Sequence, residues 1–123
     1  MVNILTKGID VSKHNGIIDW SKAKKDIDFA IIRAGYGRLT SQKDIKFEKN
    51  YQGCKDNNIL KGAYWYSYAT TVSDIQTEAK VFLSVIKGKK FEYPVYLDIE
   101  EQSQASLSST TINAMIKAFS AIL

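Results

Sequence analysis

The 123-residue sequence predicts an α/β fold, a parallel sheet covered by helices. Three observations carry that expectation. Short apolar runs alternate with helix-patterned segments, the runs are as continuously apolar as strands buried on both faces must be, and turn signals separate each segment from the next. The first run, GIDVS over 8–12, gives way to an Asn15-Gly16 turn and a short helix capped by Asp19 in DWSKAKKD. DFAIIRAGY over 28–36 leads through polar residues 37–43 to a helix over about 44–57, with Ile45, Tyr51 and Cys54 among its apolar positions. The third run, KGAYWYSY over 61–68, is dense in aromatics. A helix over about 72–87 then places Ile75, Ala79, Phe82, Leu83 and Ile86 at helical spacing and stops at Gly88. Pro94 opens the fourth strand, where a missing amide hydrogen does least harm. Ser108 or Ser109 caps a last helix carrying Ile112, Met115, Ile116 and Phe119. That helix runs into AFSAIL with neither a cap nor a polar tail, so the chain is expected to stop inside a larger domain.

Composition narrows the function. With 45% hydrophobic and 24% charged residues, the chain is an ordinary globular sequence. The N-terminus, MVNILTKGIDVSKHNG, lacks the roughly 7–15 apolar residues of a signal peptide, and no run approaches the roughly 18 of a membrane span. Synthesis in the cytoplasm and no integral membrane association are therefore expected. One His and one Cys cannot build a Cys/His zinc site. Cys54 is expected to be a small buried apolar residue, and no metal or other cofactor is expected. The net charge of +4 comes from Lys scattered through helical segments, a solvated face with at most a weak attraction to an anionic polymer. A nucleic-acid partner is not expected, because no basic motif interleaved with aromatics is present.

The chemistry converges on one side. All strands of a parallel sheet end together, and α/β enzymes place their sites at those ends. Residues there are Asp10 on the first strand, Arg33 on the second, Tyr64, Tyr66 and Tyr68 on the third, and Asp98 and Glu100 on the fourth. In a strand, positions i and i+2 share a face about 6.5–7 Å apart, so Asp98 and Glu100 point to one place. Two such carboxylates do not both ionise easily: one keeps its proton as an acid while the other serves as base, nucleophile or electrostatic support. Glycoside hydrolysis needs that division, and aromatic rings suit the apolar faces of sugars. Each residue also has a plainer role. Asp10 fits a turn cap, Arg33 a structural ion pair inside the sheet, the tyrosines ordinary packing and the two acids a solvated strand end. His14 in KHNG is expected to be a locally hydrogen-bonded loop residue, and Glu101 to point away into solvent.

Four stretches in order, GIDVSKHNGIIDW, FAIIRAGYG, KFEKNYQGCKDNNILKGAYWYSYA and PVYLDIE, resemble glycoside hydrolase family 25. These are the Chalaropsis-type lysozymes of phage endolysins and bacterial autolysins. The resemblance implies an irregular (β/α) TIM-like barrel, of which this chain holds about the first four β/α units. It implies N-acetylmuramidase activity on the glycan strands of peptidoglycan, at the bacterial cell wall. It puts the family's DxE motif on Asp98 and Glu100, with Glu100 as proton donor and Asp98 as orienting support for a substrate acetamido nucleophile, and its N-terminal aspartate on Asp10. Tyr64, Tyr66, Arg33 and Trp65 become substrate-binding candidates, Trp65 standing where many relatives have His. A half barrel exposes strand edges and an apolar face, so residues 1–123 alone are expected to self-associate and to be weakly active. The alternative function is a glycan-binding module that grips the wall without cutting it. An open α/β domain holding magnesium is disfavoured by the absence of a Gly-rich phosphate loop.

Overall fold

Runs rich in Val, Ile, Ala and aromatic residues pair as parallel strands where helices cover at least one face of the sheet. Four do so in the computed structural model, which describes residues 6–123. The strands are β1 (Gly8–Val11), β2 (Phe29–Tyr36), β3 (Leu60–Tyr66) and β4 (Val95–Asp98), all parallel, in the order β1-β2-β3-β4. Between and after them come α1 (Trp20–Ala23), α2 (Phe47–Asp56), α3 (Val72–Ile86) and α4 (Ser109–Ile122). The alternation expected from the sequence is the architecture observed.

The local signals act where they were read. Asp19 caps α1 by accepting from the Lys22 amide at 3.2 Å, and Ser108 caps α4 by accepting from the Thr111 amide at 3.1 Å. Gly88, with φ at +79°, turns the chain out of α3. Helix α2 begins three residues later than the pattern suggested, at Phe47, because Asp44 is pulled into the interior. Ile45 beside it is 77% exposed instead of packed. Leu83 and Ile116 also face outward.

One face of the sheet carries the core. Ile32, Ala34, Ala63 and Trp65 are fully buried against Ile75, Ala79 and Phe82 of α3, with Met115 and Phe119 of α4 behind them. The rings run in series, Trp65 to Phe82 at 5.4 Å between centroids and Phe82 to Phe119 at 6.0 Å. Each of these large side chains contributes about 1.5–3 kcal/mol by leaving water. The register slips by one residue at Ala34, so that Arg33 pairs with Tyr64 and Gly35 with Trp65. Gly35 is obligatory there, since a Cβ would lie 2.6 Å from the Trp65 ring and 2.8 Å from the Gln42 carbonyl.

Among the described residues, β1 and β4 each have one strand neighbour, so each leaves a ladder edge open. Beside β4 runs an apolar groove of about 830 Å³ between Val95, Leu97 and Ile99 on one side and Ile112, Ile116 and Phe119 of α4 on the other. Open edges next to apolar surface favour pairing with another chain. The isolated 123-residue chain is therefore expected to elute in size-exclusion chromatography ahead of a 13.9 kDa monomer. A single monomeric peak at micromolar concentration would contradict this.

Candidate active site

Parallel pairing sets which side chains meet. Arg33, Tyr64 and Tyr96 lie side by side in adjacent ladders, as do Tyr66 and Asp98, and paired residues of neighbouring strands project from the same face. That face, opposite the core, opens into a cleft of about 670 Å³. Asp10 from β1 lines it, with Ser12 and His14 from the turn that follows. Arg33 enters from β2, Tyr64, Tyr66 and Tyr68 from β3 and its continuation, and Asp98 and Glu100 from the end of β4. The structure brings together Asp10, Arg33, Tyr64, Tyr66, Tyr68, Asp98 and Glu100, the residues expected from the sequence to converge. His14, expected to be a plain loop residue, also borders the cleft. Strand β4 ends at Asp98, so Glu100 sits on the segment just beyond and is exposed.

Trp65 is the exception, and its assignment to the substrate is corrected here. Alternation along β3 turns Tyr64 and Tyr66 into the cleft and Trp65 to the opposite face. There Trp65 has no exposed surface, packs on Phe82 and donates its indole N–H to the Gly37 carbonyl at 3.0 Å. Glu101 also differs from expectation. It is half-buried, and one carboxylate oxygen accepts the Tyr66 phenol at 2.8 Å.

Arg33 performs the structural role that the sequence allowed. Its Nε donates to Asp44 Oδ2 at 2.8 Å with both side chains buried. Asp44 accepts two more hydrogen bonds, from the amides of Lys13 at 2.9 Å and Lys46 at 2.8 Å. One carboxylate thus ties the loop after β1, the arginine of β2 and the approach to α2 together. Asp44 was missed because an acid in a polar loop looks solvated; its place directly after an apolar strand and a polar turn was the available signal. One of the two terminal guanidinium nitrogens, Arg33 Nη2, is buried without a protein partner among the described residues, and the group lies 5.2 Å from the Tyr36 ring.

A second buried carboxylate supports the opposite wall. Glu78 of α3 is fully buried, and desolvation pushes its pKa up, although the Ser67 hydroxyl at 2.6 Å and the Tyr68 amide at 2.9 Å both donate to it. Gln104, also buried, donates to Ser67 Oγ at 3.1 Å and to the Ala69 carbonyl at 2.8 Å, while its own carbonyl accepts from the Glu101 amide at 3.2 Å. These bonds join the outgoing ends of β3 and β4, the two segments that carry Tyr66, Tyr68, Asp98 and Glu100.

The electrostatics divide the acids. The Asp98 carboxyl is raised from 3.8 to about 6, first by burial, then by its hydrogen bond to Glu100 and by repulsion from Glu100 and Asp10. Burial and the neighbouring carboxylates favour the neutral form of Asp98, so it holds its proton above the ordinary carboxylate range. Tyr64 is pushed up to about 12, chiefly by burial, and Tyr66 to about 12, chiefly by its bond to Glu101, so both phenols remain donors at neutral pH. No group of three or more His, Cys, Asp or Glu among the described residues is arranged to hold a metal ion.

A parallel α/β scaffold with carboxylates and a tyrosine-lined cleft at its strand ends has the layout of an α/β enzyme site. The particular family is shown by comparison. The profile of glycosyl hydrolases family 25 matches residues 9–123, and the chain belongs to that family. Protein YegX of Escherichia coli strain K12 is 33% identical over 105 residues, covering 80% of this chain and 37% of the relative. Lysozyme M1 of Streptomyces globisporus is 33% identical over 123 residues, covering 94% of this chain and 41% of that protein. The structure of the modular autolysin LytC from Streptococcus pneumoniae, in complex with a synthetic peptidoglycan ligand, superposes with a TM-score of 0.78 at 28% identity, covering 94% of this chain and 28% of that one. The chain thus spans about two fifths of the curated relatives it matches. Solved members of the family are TIM-like barrels, and the four-stranded parallel sheet is part of that fold.

The raised Asp98 pKa fixes a sign. Between about 4 and 6 the folded chain binds more protons at this residue than the unfolded chain, so stability falls as pH rises through that window. Asp98→Asn is expected to stabilise the fold at pH 7 by about 1 kcal/mol, after allowance for solvent screening of a partly exposed pair, and to flatten the dependence between pH 4 and 6. Urea unfolding at pH 4, 5, 6 and 7 checks it; an unchanged slope in the variant would contradict it.

Proposed function

We propose that the domain to which this chain contributes is a peptidoglycan-cleaving lysozyme, hydrolysing the β-1,4 bond between N-acetylmuramic acid and N-acetylglucosamine. The observation that carries the reading is the placement of Asp98 and Glu100 in one cleft with Asp10 and four tyrosines. Family membership and the lysozymes among the relatives support it.

Glu100, the exposed member of the pair, donates the proton to the leaving glycosidic oxygen and then takes one from the attacking water. Asp98 stays behind it as a fixed negative charge, orienting the acetamido group of the substrate as internal nucleophile and offsetting the charge that develops at the anomeric carbon. Asp10 adds negative potential from across the cleft. Tyr64 offers a phenol donor and both Tyr64 and Tyr66 offer ring faces to the sugar, with the Tyr66 hydroxyl donating to Glu101, and Arg33 holds the floor between them through Asp44. No helix among the described residues is long and apolar enough to cross a membrane, and the site of action is the bacterial cell wall, where this substrate lies. These four β/α units are read as the N-terminal part of the catalytic barrel, with Asp10 and the DxE acids in place.

Glu100→Gln keeps the size and hydrogen bonding of the side chain while removing its proton chemistry. Turbidity clearing of purified cell walls is expected to fall by at least about a hundredfold, with an unchanged circular dichroism spectrum. Clearing at the parental rate by the variant would overturn the assignment.

A further inference from the structure

We propose that a second groove, adjoining the catalytic cleft, holds a carboxylate carried by the glycan. This rests on the peptidoglycan reading above and adds a subsite to it. The groove has a volume of about 400 Å³ and is lined by Arg38, Leu39, Gln42, Tyr68, Thr70 and Asp74. Tyr68 is common to both spaces, one side bordering the cleft with Asp98 and Glu100 and the other bordering the groove. Its ring is 47% exposed and backed by Tyr66 at 5.2 Å and Tyr36 at 6.0 Å between centroids. A polymer seated on the acids therefore has a continuous path across a braced aromatic surface into the groove.

The chemistry inside differs from that of a neutral sugar site. Arg38 donates through Nη1 to Asp74 Oδ1 at 3.1 Å, and that is its one side-chain partner among the described residues. The side chain is 60% exposed, so the remaining donors of its planar fork face water. An exposed ion pair of this kind holds its partners weakly, and a guanidinium matches a second carboxylate with two parallel hydrogen bonds. Gln42 commits its carbonyl to the Leu39 amide at 2.9 Å, which leaves its amide hydrogens as donors, and Leu39 itself is an exposed apolar neighbour. Cation, amide donor and apolar edge together complement an acidic branch on the glycan. Peptidoglycan offers two such carboxylates, on the lactyl ether of muramic acid and on its stem peptide. Asp74 orients Arg38 and also competes with the incoming carboxylate.

The test uses three soluble tetrasaccharides of equal length: a muramyl oligomer bearing stem peptides, the same oligomer with the peptides removed and the lactyl carboxylate free, and chitotetraose. Binding is measured by calorimetry at low ionic strength on the Glu100→Gln background, so that the ligands survive. Arg38→Gln is expected to weaken binding of the carboxylate-bearing ligand about fivefold and to leave chitotetraose unchanged. Asp74→Asn is expected to tighten the same ligand. An Arg38 effect that persists on the peptide-free oligomer identifies the lactyl carboxylate; one seen only with peptides attached identifies the stem. If the pair merely ties the loop after β2 to α3, both substitutions weaken all three ligands alike and lower the thermal midpoint, and the proposal is overturned. Equal binding of all three ligands by the parent overturns it as well. Failure of the parent to bind any of them defeats the peptidoglycan reading, and the groove assignment with it.

Discussion

Parallel pairing delivers the last residues of every strand to one rim, and everything chemical in this molecule follows from that constraint. Had β4 run antiparallel to β3, Asp98 would lie at the far end of the sheet from Asp10. Because the ladder is parallel, Tyr66 stands beside Asp98 and Tyr64 beside Arg33, and the acids of the first and fourth strands look into one space. The ladder also fixes the face. Residues of even and odd position on β3 go to different worlds, the tyrosines to the cleft and Ala63 and Trp65 to the core.

The rim is held by charges placed behind it. Asp44 and Glu78 are the two carboxylates with almost no exposure, and neither touches the proposed substrate space directly. Burying such groups costs free energy unless hydrogen bonds replace water. Asp44 receives three donors, Arg33 among them, and Glu78 two. In return each fixes a stretch of irregular backbone that has no ladder to hold it: residues 12–14 and 44–46 around Asp44, residues 67–69 around Glu78. Gln104 extends the second support to Glu101 and so to the Tyr66 phenol. Tyrosines on the cleft wall keep their orientation through this polar framework as much as through packing.

What could be read from the chain and what could not divides along the same line. Strand and helix order, the Asp19 and Ser108 caps, the Gly88 stop and the meeting of Asp10, Arg33, Asp98 and Glu100 follow from local pattern and one topological rule. Trp65 was legible too: the period of two that puts Tyr64 and Tyr66 in the cleft excludes their neighbour, and grouping the aromatics by composition obscured it. The roles of Asp44, Glu78 and Gln104 depend on long-range partners 10 to 37 residues away, which no local pattern encodes. Glu101 belongs with them. It follows the strand, so alternation no longer governs it, and the short 3-10 turn at Gln102–Gln104 decides where it points.

The two acids differ in exposure, and the proposed division of labour follows that difference. Asp98 is the final residue of β4, held in the ladder and partly covered, and its proton affinity rises because burial and two neighbouring carboxylates disfavour its charge. Glu100 lies past the strand, exposed and free to reach a bond in the cleft. Under the proposed function, a sugar amide hydrogen offered to Asp98 favours its ionised carboxyl and leaves Glu100 as the member exposed to the leaving oxygen.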